Sequence, residues 1–211
     1  MENYLVKKGE IGLDEAGRGP LFGPVVAGCV LWDDKYNNIE GVELIIDSKK
    51  LSVKKRKLAL EWIKNNVKYY GLGVVDNNII DEINILEATK MAMNNALREL
   101  ELKLEQDKKT KLNKKILVID GCNWKESDFM GYKVNSIIGG DNKILSIACA
   151  SILAKEHHDE LIVDIVNINQ DLNLDKYDLL KNKGYGTKKH IEAIKMYGYS
   201  DYHRKSFKIK I

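Results

Sequence analysis

The chain has 211 residues, of which 34 are Lys or Arg and 31 are Asp or Glu, so its formal net charge at neutral pH is only +3. With 44% hydrophobic and 31% charged residues, the composition is typical of a globular protein and excludes a disordered one. A charge so close to balance also excludes a protein that coats nucleic acid in the manner of a histone.

The sequence contains no run of about 18 apolar residues that would predict a membrane span, and residues 1–10 lack the apolar segment of a signal peptide. Cys29, Cys122 and Cys149 are too widely spaced, and odd in number, for a disulfide framework or a zinc site. We therefore expect a cytoplasmic protein with reduced thiols and no membrane partner. The length favours a single domain over residues 1–211, and nothing requires more than a monomer.

The first predicted elements are two strands on either side of a loop. Residues 11–13 are apolar and predict a strand that ends at Asp14 and Glu15. Five of the eight residues 17–24 are glycine or proline, which predicts a shaped loop without regular structure. Residues 25–32 form a short apolar run rich in valine, which predicts a buried strand directly after the loop.

The middle of the chain alternates helices and strands. Ser52 is a suitable N-cap for a helix that reaches about residue 67, and residues 69–75 are a strand candidate. Residues 86–105 carry apolar side chains at heptad-like spacing with charges between them, which makes them the clearest helix. The polar and basic residues 108–115 predict a connection.

The second half adds two strands and then mostly helices. Residues 116–119 predict a buried strand that ends at Asp120, and residues 134–138 predict another. A long helix is predicted from about Lys143, with small side chains that would let its backbone approach a neighbour closely. Thr187 is a suitable cap for a final helix that ends near residue 196. Because strands and helices interleave, we predict an α/β fold with helices gathered toward the C-terminus.

Four acidic residues stand out because each lies beside a buried element: Asp14, Glu15, Asp120 and Asp141. A carboxylate in such a place is unfavourable unless it is paired or bound to a cation. Several converging carboxylates would repel one another, and Mg²⁺ or Mn²⁺, which prefer oxygen ligands, would relieve that repulsion. Two such ions about 4 Å apart are suited to phosphodiester hydrolysis. The alternative is that each is a turn or cap residue, with Asp141 favouring the positive end of its helix.

The turn Gly17-Arg18-Gly19 permits two interpretations. The glycines can simply meet unusual backbone angles. Their missing Cβ atoms can also let a sugar-phosphate backbone come close, with Arg18 available to a phosphate. The loop matches neither the Walker A nor the dinucleotide-binding pattern.

Ser48, Lys49 and Lys50 place a hydroxyl and two ammonium groups just before a basic helix start. Cations there oppose the helix dipole, so an external anion would explain them, although a solvated helix face is the alternative. Tyr185 lies between two glycines, which would let its ring stack on a sugar or base. The alternative is an ordinary turn tyrosine. The histidines show no zinc-binding pattern.

Seven stretches, taken in chain order, make the sequence similar to one known family. They are residues 12–27 (GLDEAGRGPLFGPVVA), 47–52 (DSKKLS), 119–121 (IDG), 140–141 (GD), 146–155 (SIACASILAK), 183–187 (KGYGT) followed by His190, and 203–207 (HRKSF). Together they resemble the signature of ribonuclease HII, over nearly the whole chain.

The resemblance implies a ribonuclease H-like mixed β-sheet flanked by helices, with about residues 170–211 as a C-terminal helical part that binds substrate. It implies endonucleolytic cleavage of RNA in RNA–DNA hybrids, and cleavage 5′ of single ribonucleotides in duplex DNA during ribonucleotide removal. Products would carry a 3′-hydroxyl and a 5′-phosphate. Two Mg²⁺ or Mn²⁺ ions would be held by the four carboxylates of Asp14, Glu15, Asp120 and Asp141.

The resemblance also implies a substrate-binding set. The 2′-hydroxyl would be recognised by Gly17, Arg18, Gly19 and Tyr185, and the phosphates would lie along Ser48, Lys49 and Lys50. The basic tail, residues 205–211, would dock a sliding clamp or grip DNA.

The sequence departs from the family pattern at several positions. Cys122 stands between Asp-Gly and the usual Asn, Gly139 replaces a common lysine, and His158 replaces a usual arginine. None of these changes removes a predicted carboxylate. Two alternatives stay open: a hybrid-only enzyme of the ribonuclease HIII kind, which usually carries an extra N-terminal domain, and a non-catalytic nucleic-acid-binding module.

Overall fold

A five-stranded mixed sheet forms the centre of the structure, a computed structural model that describes residues 9–107 and 116–209. The strands are β1 (Glu10–Ala16), β2 (Val25–Leu31), β3 (Tyr70–Val75), β4 (Ile116–Asp120) and β5 (Lys133–Ile137). The helices are α1 (Val53–Asn66), α2 (Asn77–Gln106), α3 (Leu145–Ile168), α4 (Leu179–Asn182) and α5 (Lys188–Tyr197). The predicted mixed α/β sheet flanked by helices is confirmed.

The strand order in the sheet is β3-β2-β1-β4-β5. Strands β1, β2 and β3 pair antiparallel, whereas β4 pairs parallel to both β1 and β5. The central strand β1 therefore has a hairpin partner on one side and a partner from far along the chain on the other. The carboxyl ends of β1 and β4 meet at one edge of the sheet.

Each face of the sheet packs against different helices. On one face, Ile11 and Leu13 of β1 join a core with the buried residues of α2. On the other face, α1 and α3 form a second core with residues such as Val30. Because side chains alternate along a strand, Gly12 and Asp14 face α3 while Leu13 faces α2.

Helix α3 crosses β1 and β2 in backbone contact. A Cβ atom built on Gly12 would lie 2.3 Å from the carbonyl carbon of Ser146, and one on Gly28 would lie 2.5 Å from the carbonyl oxygen of Ala150. Neither space admits a side chain. The predicted role of the small residues of this helix, close backbone approach, is confirmed, and the approach brings α3 beside Asp14.

Two element boundaries differ from the sequence prediction. Strand β1 continues to Ala16, because its pairing with β2 runs past the acidic pair. Helix α2 begins at Asn77, well before the predicted start near residue 86. The helix is interrupted at Asn84, whose φ of 71° is left-handed and whose side chain accepts hydrogen bonds from two following backbone N–H groups. Asn84 thus caps the predicted helix, and a shorter segment precedes it. The predicted connection 108–115 lies outside the described residues.

The C-terminal region packs on the end of α3 and on the loop that follows β1. Ile162 and Val166 of α3, Phe22 of that loop and Ile194 of α5 share a third apolar core. Thr187 caps α5 through its side chain, as predicted. No helix in the described ranges is both long and apolar enough to cross a membrane.

We expect Gly73→Ala to destabilise the fold by about 3 kcal/mol, because overpacking at a rigid backbone contact is poorly relieved. A Cβ atom at this position would lie 1.9 Å from the carbonyl oxygen of Ala92 in α2. Urea unfolding followed by circular dichroism measures the change. Val74→Ala on the same strand is the control, since that side chain is partly exposed. Equal losses for the two variants would contradict the close packing of α2 on β3.

Candidate active site

Three of the four predicted carboxylates converge at the carboxyl ends of β1 and β4. The parallel register pairs Leu13 with Ile119, so the residues that follow them, Asp14 and Asp120, are neighbours. Asp141 lies in the turn that precedes α3. One carboxylate oxygen from each of these three aspartates lies within 4.8 Å of the others.

Hydrogen bonds hold each of these carboxylates in place. Asp14 Oδ1 accepts from the backbone N–H of Glu15 at 2.8 Å. Asp120 Oδ1 accepts from the backbone N–H of Gly140 at 2.7 Å, which ties the end of β4 to the turn that carries Asp141. The side-chain amide of Asn142 donates to Asp141 Oδ1 at 3.0 Å. The cluster is therefore fixed by backbone geometry as well as by side chains.

The cluster concentrates negative charge in a poorly hydrated place. Burial, together with the neighbouring charges of Glu15 and Asp120, raises the pKa of Asp14 well above its ordinary value, and a hydrogen bond with Ser151 partly offsets this. Burial and the charge of Asp120 also raise the pKa of Asp141. Raised pKa values of this origin indicate a site in which a bound cation would stabilise the ionised carboxylates.

Glu15 lies outside the cluster of three because adjacent residues on a strand point to opposite faces. Its Oε1 accepts from Arg18 Nη1 at 3.2 Å, whereas its Oε2 is buried and has no hydrogen-bond partner among the described residues. Burial raises the pKa of Glu15, the charge of Arg18 lowers it, and the charge of Asp120 raises it further.

The residues fit a divalent metal site. Three carboxylate oxygens lie close together, and Oε2 of Glu15, which lines the same groove as Asp120, is buried with no hydrogen-bond partner among the described residues. An all-oxygen donor set of this kind suits Mg²⁺ or Mn²⁺ rather than zinc.

The loop after β1, residues 17–24, carries Gly17, Arg18 and Gly19 beside the cluster. Gly17 has a φ of +87°, and a Cβ atom there would lie 2.5 Å from the buried ring of His158. Gly19 is exposed, and a Cβ atom on it would lie 3.6 Å from the ring of Tyr185. The structure thus brings the predicted glycine turn and the predicted tyrosine together. Lys155 Nζ lies 5.5 Å from the centre of the Tyr185 ring.

The three residues Ser48, Lys49 and Lys50 form a single turn with different surroundings. Lys49 Nζ lies 3.5 Å from Asp141 Oδ2. Partial burial lowers the pKa of Lys49, but the negative charge of Asp141 and its neighbours outweighs this and raises that pKa overall. Lys50 is exposed. Ser48 is buried, and its Oγ is 2.9 Å from Oγ of Ser151. Substrate contact by Ser48 stays a prediction, and the structure gives its hydroxyl a partner inside the protein.

A groove of about 650 Å³ reaches the cluster at Asp120. Its lining includes Glu15, Arg18, Asp120, Cys122, Asn123 and Lys125. Cys122, one of the departures from the family pattern, is an exposed thiol in this lining. Gly139, another departure, has a left-handed φ of 63° and no atom within 4 Å of the place of a Cβ. Neither departure fills the space beside the carboxylates.

Two buried residues that are not among the predicted site residues support the site. Ser151 lies on α3 and bonds both Ser48 and Asp14. Arg204 follows α5 and donates hydrogen bonds to the loop after β1. The signal for Arg204 was the stretch HRKSF, but its partners lie far away in the sequence.

Sequence comparisons point to one family. The family model described as Ribonuclease HII matches residues 11–210. The chain is 46% identical over 206 residues to the Ribonuclease HII of Rickettsia felis, covering 98% of this chain and 92% of that relative. It is 45% identical over 206 residues to the Ribonuclease HII of Rickettsia akari, again covering 98% of this chain and 92% of the relative.

Solved structures are similar in fold. The ribonuclease H2 from Pyrococcus horikoshii OT3 has a TM-score of 0.66 at 24% identity, over 94% of this chain and 93% of that one. Bst-RNase HIII in complex with Mn²⁺ has a TM-score of 0.69 at 21% identity, over 90% of this chain and 62% of that one. The RNase HII in its PCNA complex from Archaeoglobus fulgidus has a TM-score of 0.64 at 22% identity, over 96% of both chains. The predicted ribonuclease H-like fold is confirmed.

Proposed function

The chain belongs to the ribonuclease HII family and is a ribonuclease H-type hydrolase, and we propose that it cuts RNA in RNA–DNA hybrids and 5′ of single ribonucleotides in duplex DNA. The observation that carries this proposal is the convergence of Asp14, Asp120 and Asp141 within 4.8 Å, beside a groove that Asp120 and Glu15 line. Since the chain is an enzyme, the alternative of a non-catalytic module is set aside.

The proposed metal ligands are the carboxylates of Asp14, Glu15, Asp120 and Asp141. Two Mg²⁺ or Mn²⁺ ions bound there would supply activation of water and stabilisation of the leaving 3′ oxygen, which yields a 3′-hydroxyl and a 5′-phosphate. The chain's own contribution is to hold the carboxylates close together. The Gly140 N–H and the Asn142 amide fix two of them, so little rearrangement is needed on binding.

The proposed substrate contacts lie on both sides of the cluster. Gly19 leaves room for the sugar next to the Tyr185 ring, and Arg18 is half exposed. Gly17 is buried against the His158 ring, so it would contribute through its backbone. A 2′-hydroxyl recognised at this place would distinguish a ribonucleotide from its DNA neighbours. Lys49 and Lys50, exposed on the opposite turn, would lie along the phosphates.

The wider assignments are part of the same proposal. We assign residues 1–211 to one catalytic domain, in which residues 170–211 are the substrate-binding part, and we place the protein in the cytoplasm as a monomer. A sliding clamp is a proposed partner, because one structural neighbour was solved as a PCNA complex. The basic residues of the tail after Arg204 are the proposed contact with the clamp or with DNA.

A cleavage assay on two substrates tests the proposal. We expect a cut on the 5′ side of a single ribonucleotide in duplex DNA, and cuts along an RNA–DNA hybrid, each with Mg²⁺ or Mn²⁺ and neither with chelator. Cleavage of the hybrid alone would contradict the proposed activity on single ribonucleotides and favour a hybrid-only enzyme. Cleavage that persists in chelator would contradict the metal-dependent mechanism.

A further inference from the structure

Residues 200–207, here called the C-terminal brace, run back from α5 against the loop after β1. The Tyr202 carbonyl accepts from the backbone N–H of Gly23 at 2.9 Å, and the Arg204 N–H donates to the Leu21 carbonyl at 2.8 Å. Phe22 of the loop and His203 of the brace form an isolated antiparallel β-bridge, and these bonds satisfy backbone groups that would otherwise be buried unpaired.

The Arg204 side chain makes the strongest link between the brace and the loop. Its guanidinium group is fully buried and donates to four backbone carbonyl oxygens of the loop. The acceptors are Gly17 at 2.6 Å, Arg18 at 3.2 Å, Gly23 at 2.8 Å and Pro24 at 2.7 Å. Burial lowers the pKa of Arg204 to about 10, so the group is still charged at neutral pH. Only the planar five-donor fork of arginine can reach all four acceptors together.

A second chain of hydrogen bonds leads from the brace to Tyr185. The Ser200 N–H donates to His203 Nδ1 at 2.9 Å, so the proton of the neutral ring is on Nε2. That nitrogen is 3.0 Å from His190 Nε2, and His190 Nδ1 is 3.0 Å from the Tyr185 carbonyl oxygen. Burial lowers the pKa of both His190 and His203, which keeps them neutral and the direction of donation fixed.

The brace therefore bonds the loop directly and reaches Tyr185 through His190, and no hydrogen bond among the described residues joins it to the clustered carboxylates. The loop and the tyrosine turn also meet directly, since the Leu21 N–H donates to the Gly184 carbonyl at 2.8 Å. Asp14, Asp120 and Asp141 are held instead by β1, β4 and the turn before α3. Changes in the brace should move the recognition elements while leaving the carboxylates in place.

We propose that Arg204, His203 and His190 are positioning residues that fix Tyr185 relative to Gly17 and Gly19, and so set the preference for a single ribonucleotide. This inference rests on the proposed function. A lone ribonucleotide offers one productive register, in which its 2′-hydroxyl must meet the loop and the tyrosine at once. A hybrid offers a 2′-hydroxyl at every sugar of its RNA strand, so many registers are productive and an imprecise site still cuts.

Arg204→Lys is the first test, because lysine keeps the charge but cannot reach all four carbonyls. We expect the ratio of kcat/KM for the single ribonucleotide to kcat/KM for the hybrid to fall at least about tenfold, because a misplacement of about 1 Å can cost about 100-fold in rate. Tyr36→Phe is the control: that ring is also buried, but it lies in the second core, where its hydroxyl accepts from the Lys68 N–H. It should leave the ratio unchanged.

His190→Gln provides an independent test if the Arg204→Lys variant fails to fold. The glutamine side chain still reaches His203 but leaves the Tyr185 carbonyl without the Nδ1 donor. We expect the same fall in the ratio, with Mn²⁺ affinity measured by calorimetry unchanged. Equal losses on both substrates, or an unchanged ratio in a folded variant, would overturn the inference. If the wild-type enzyme does not cleave at the single ribonucleotide, the proposed function is overturned instead. Failure of the inference and failure of the proposed function are therefore distinguishable.

Discussion

Asp14→Asn is expected to reduce cleavage of both substrates by about a thousandfold or more, since loss of several kcal/mol of metal-dependent stabilisation corresponds to that factor. Asp14 is the member of the cluster that is adjacent to both Glu15 and Asp120 and that contacts Ser151 on α3. The asparagine keeps the size of the side chain and removes the charge. Multiple-turnover assays at saturating Mg²⁺ measure the loss.

Two further measurements separate a lost site from a lost fold. The variant should bind duplex no more weakly than the wild type, because one fewer negative charge faces the phosphates. Mn²⁺ should raise the unfolding midpoint of the wild type more than that of the variant, since a ligand stabilises only the state that binds it. Asp76→Asn is the control, because asparagine caps α2 as well as aspartate does. Full activity in Asp14→Asn would contradict the assignment of Asp14 to the metal site.

Local signals predicted the parts of the site that depend on neighbouring residues in the sequence. Asp120 was placed at a strand end because an apolar run stops there, and β4 does end at Asp120. The loop after β1 was predicted from glycine and proline alone. The caps at Ser52 and Thr187 were predicted from residue type, and both side chains accept the expected backbone hydrogen bond.

The sequence could not predict features that depend on distant pairings. The parallel register of β1 with β4 brings Asp14 beside Asp120, and no local pattern encodes that partner. The pleat turns the Glu15 side chain away from Asp14, although Glu15 still lines the same groove as Asp120. The sequence predicts substrate contact for Ser48 together with two lysines, but no local pattern indicates that Ser48 is buried against Ser151 of α3.

The role of the C-terminal brace also depends on residues that are far apart in the sequence. HRKSF was recognisable as a motif, but the physical role of Arg204 depends on four carbonyl groups more than 170 positions earlier in the chain. A buried arginine without a hydrogen-bonded carboxylate is unusual, because burial of an unpaired charge is unfavourable. The carbonyl dipoles of the loop after β1 stabilise the buried charge of Arg204. The shape of the loop in turn depends on the hydrogen bonds that Arg204 donates.

Tyr185→Ala is expected to reduce cleavage at a single ribonucleotide by about 10-fold to 100-fold, since loss of one stacking contact is worth about 1–3 kcal/mol. Cleavage along a hybrid should fall much less. The ring is 41% exposed, lies beside Gly19 and has Lys155 over it, so it presents a face to a bound sugar. Single-turnover rates on the two substrates, measured under the same metal concentration, give the two losses directly.

Two companion variants show which part of the tyrosine acts. Tyr185→Phe keeps the ring and its contact with Lys155, so it should retain most of the selectivity if stacking dominates over the hydroxyl. Tyr197→Ala removes another exposed ring, at the end of α5, and should change neither rate. If Tyr185→Ala slowed both substrates equally, the ring would act in general binding. The selectivity would then depend on the loop of Gly17 and Gly19 alone, and bracing Tyr185 against that loop would have no effect on substrate choice.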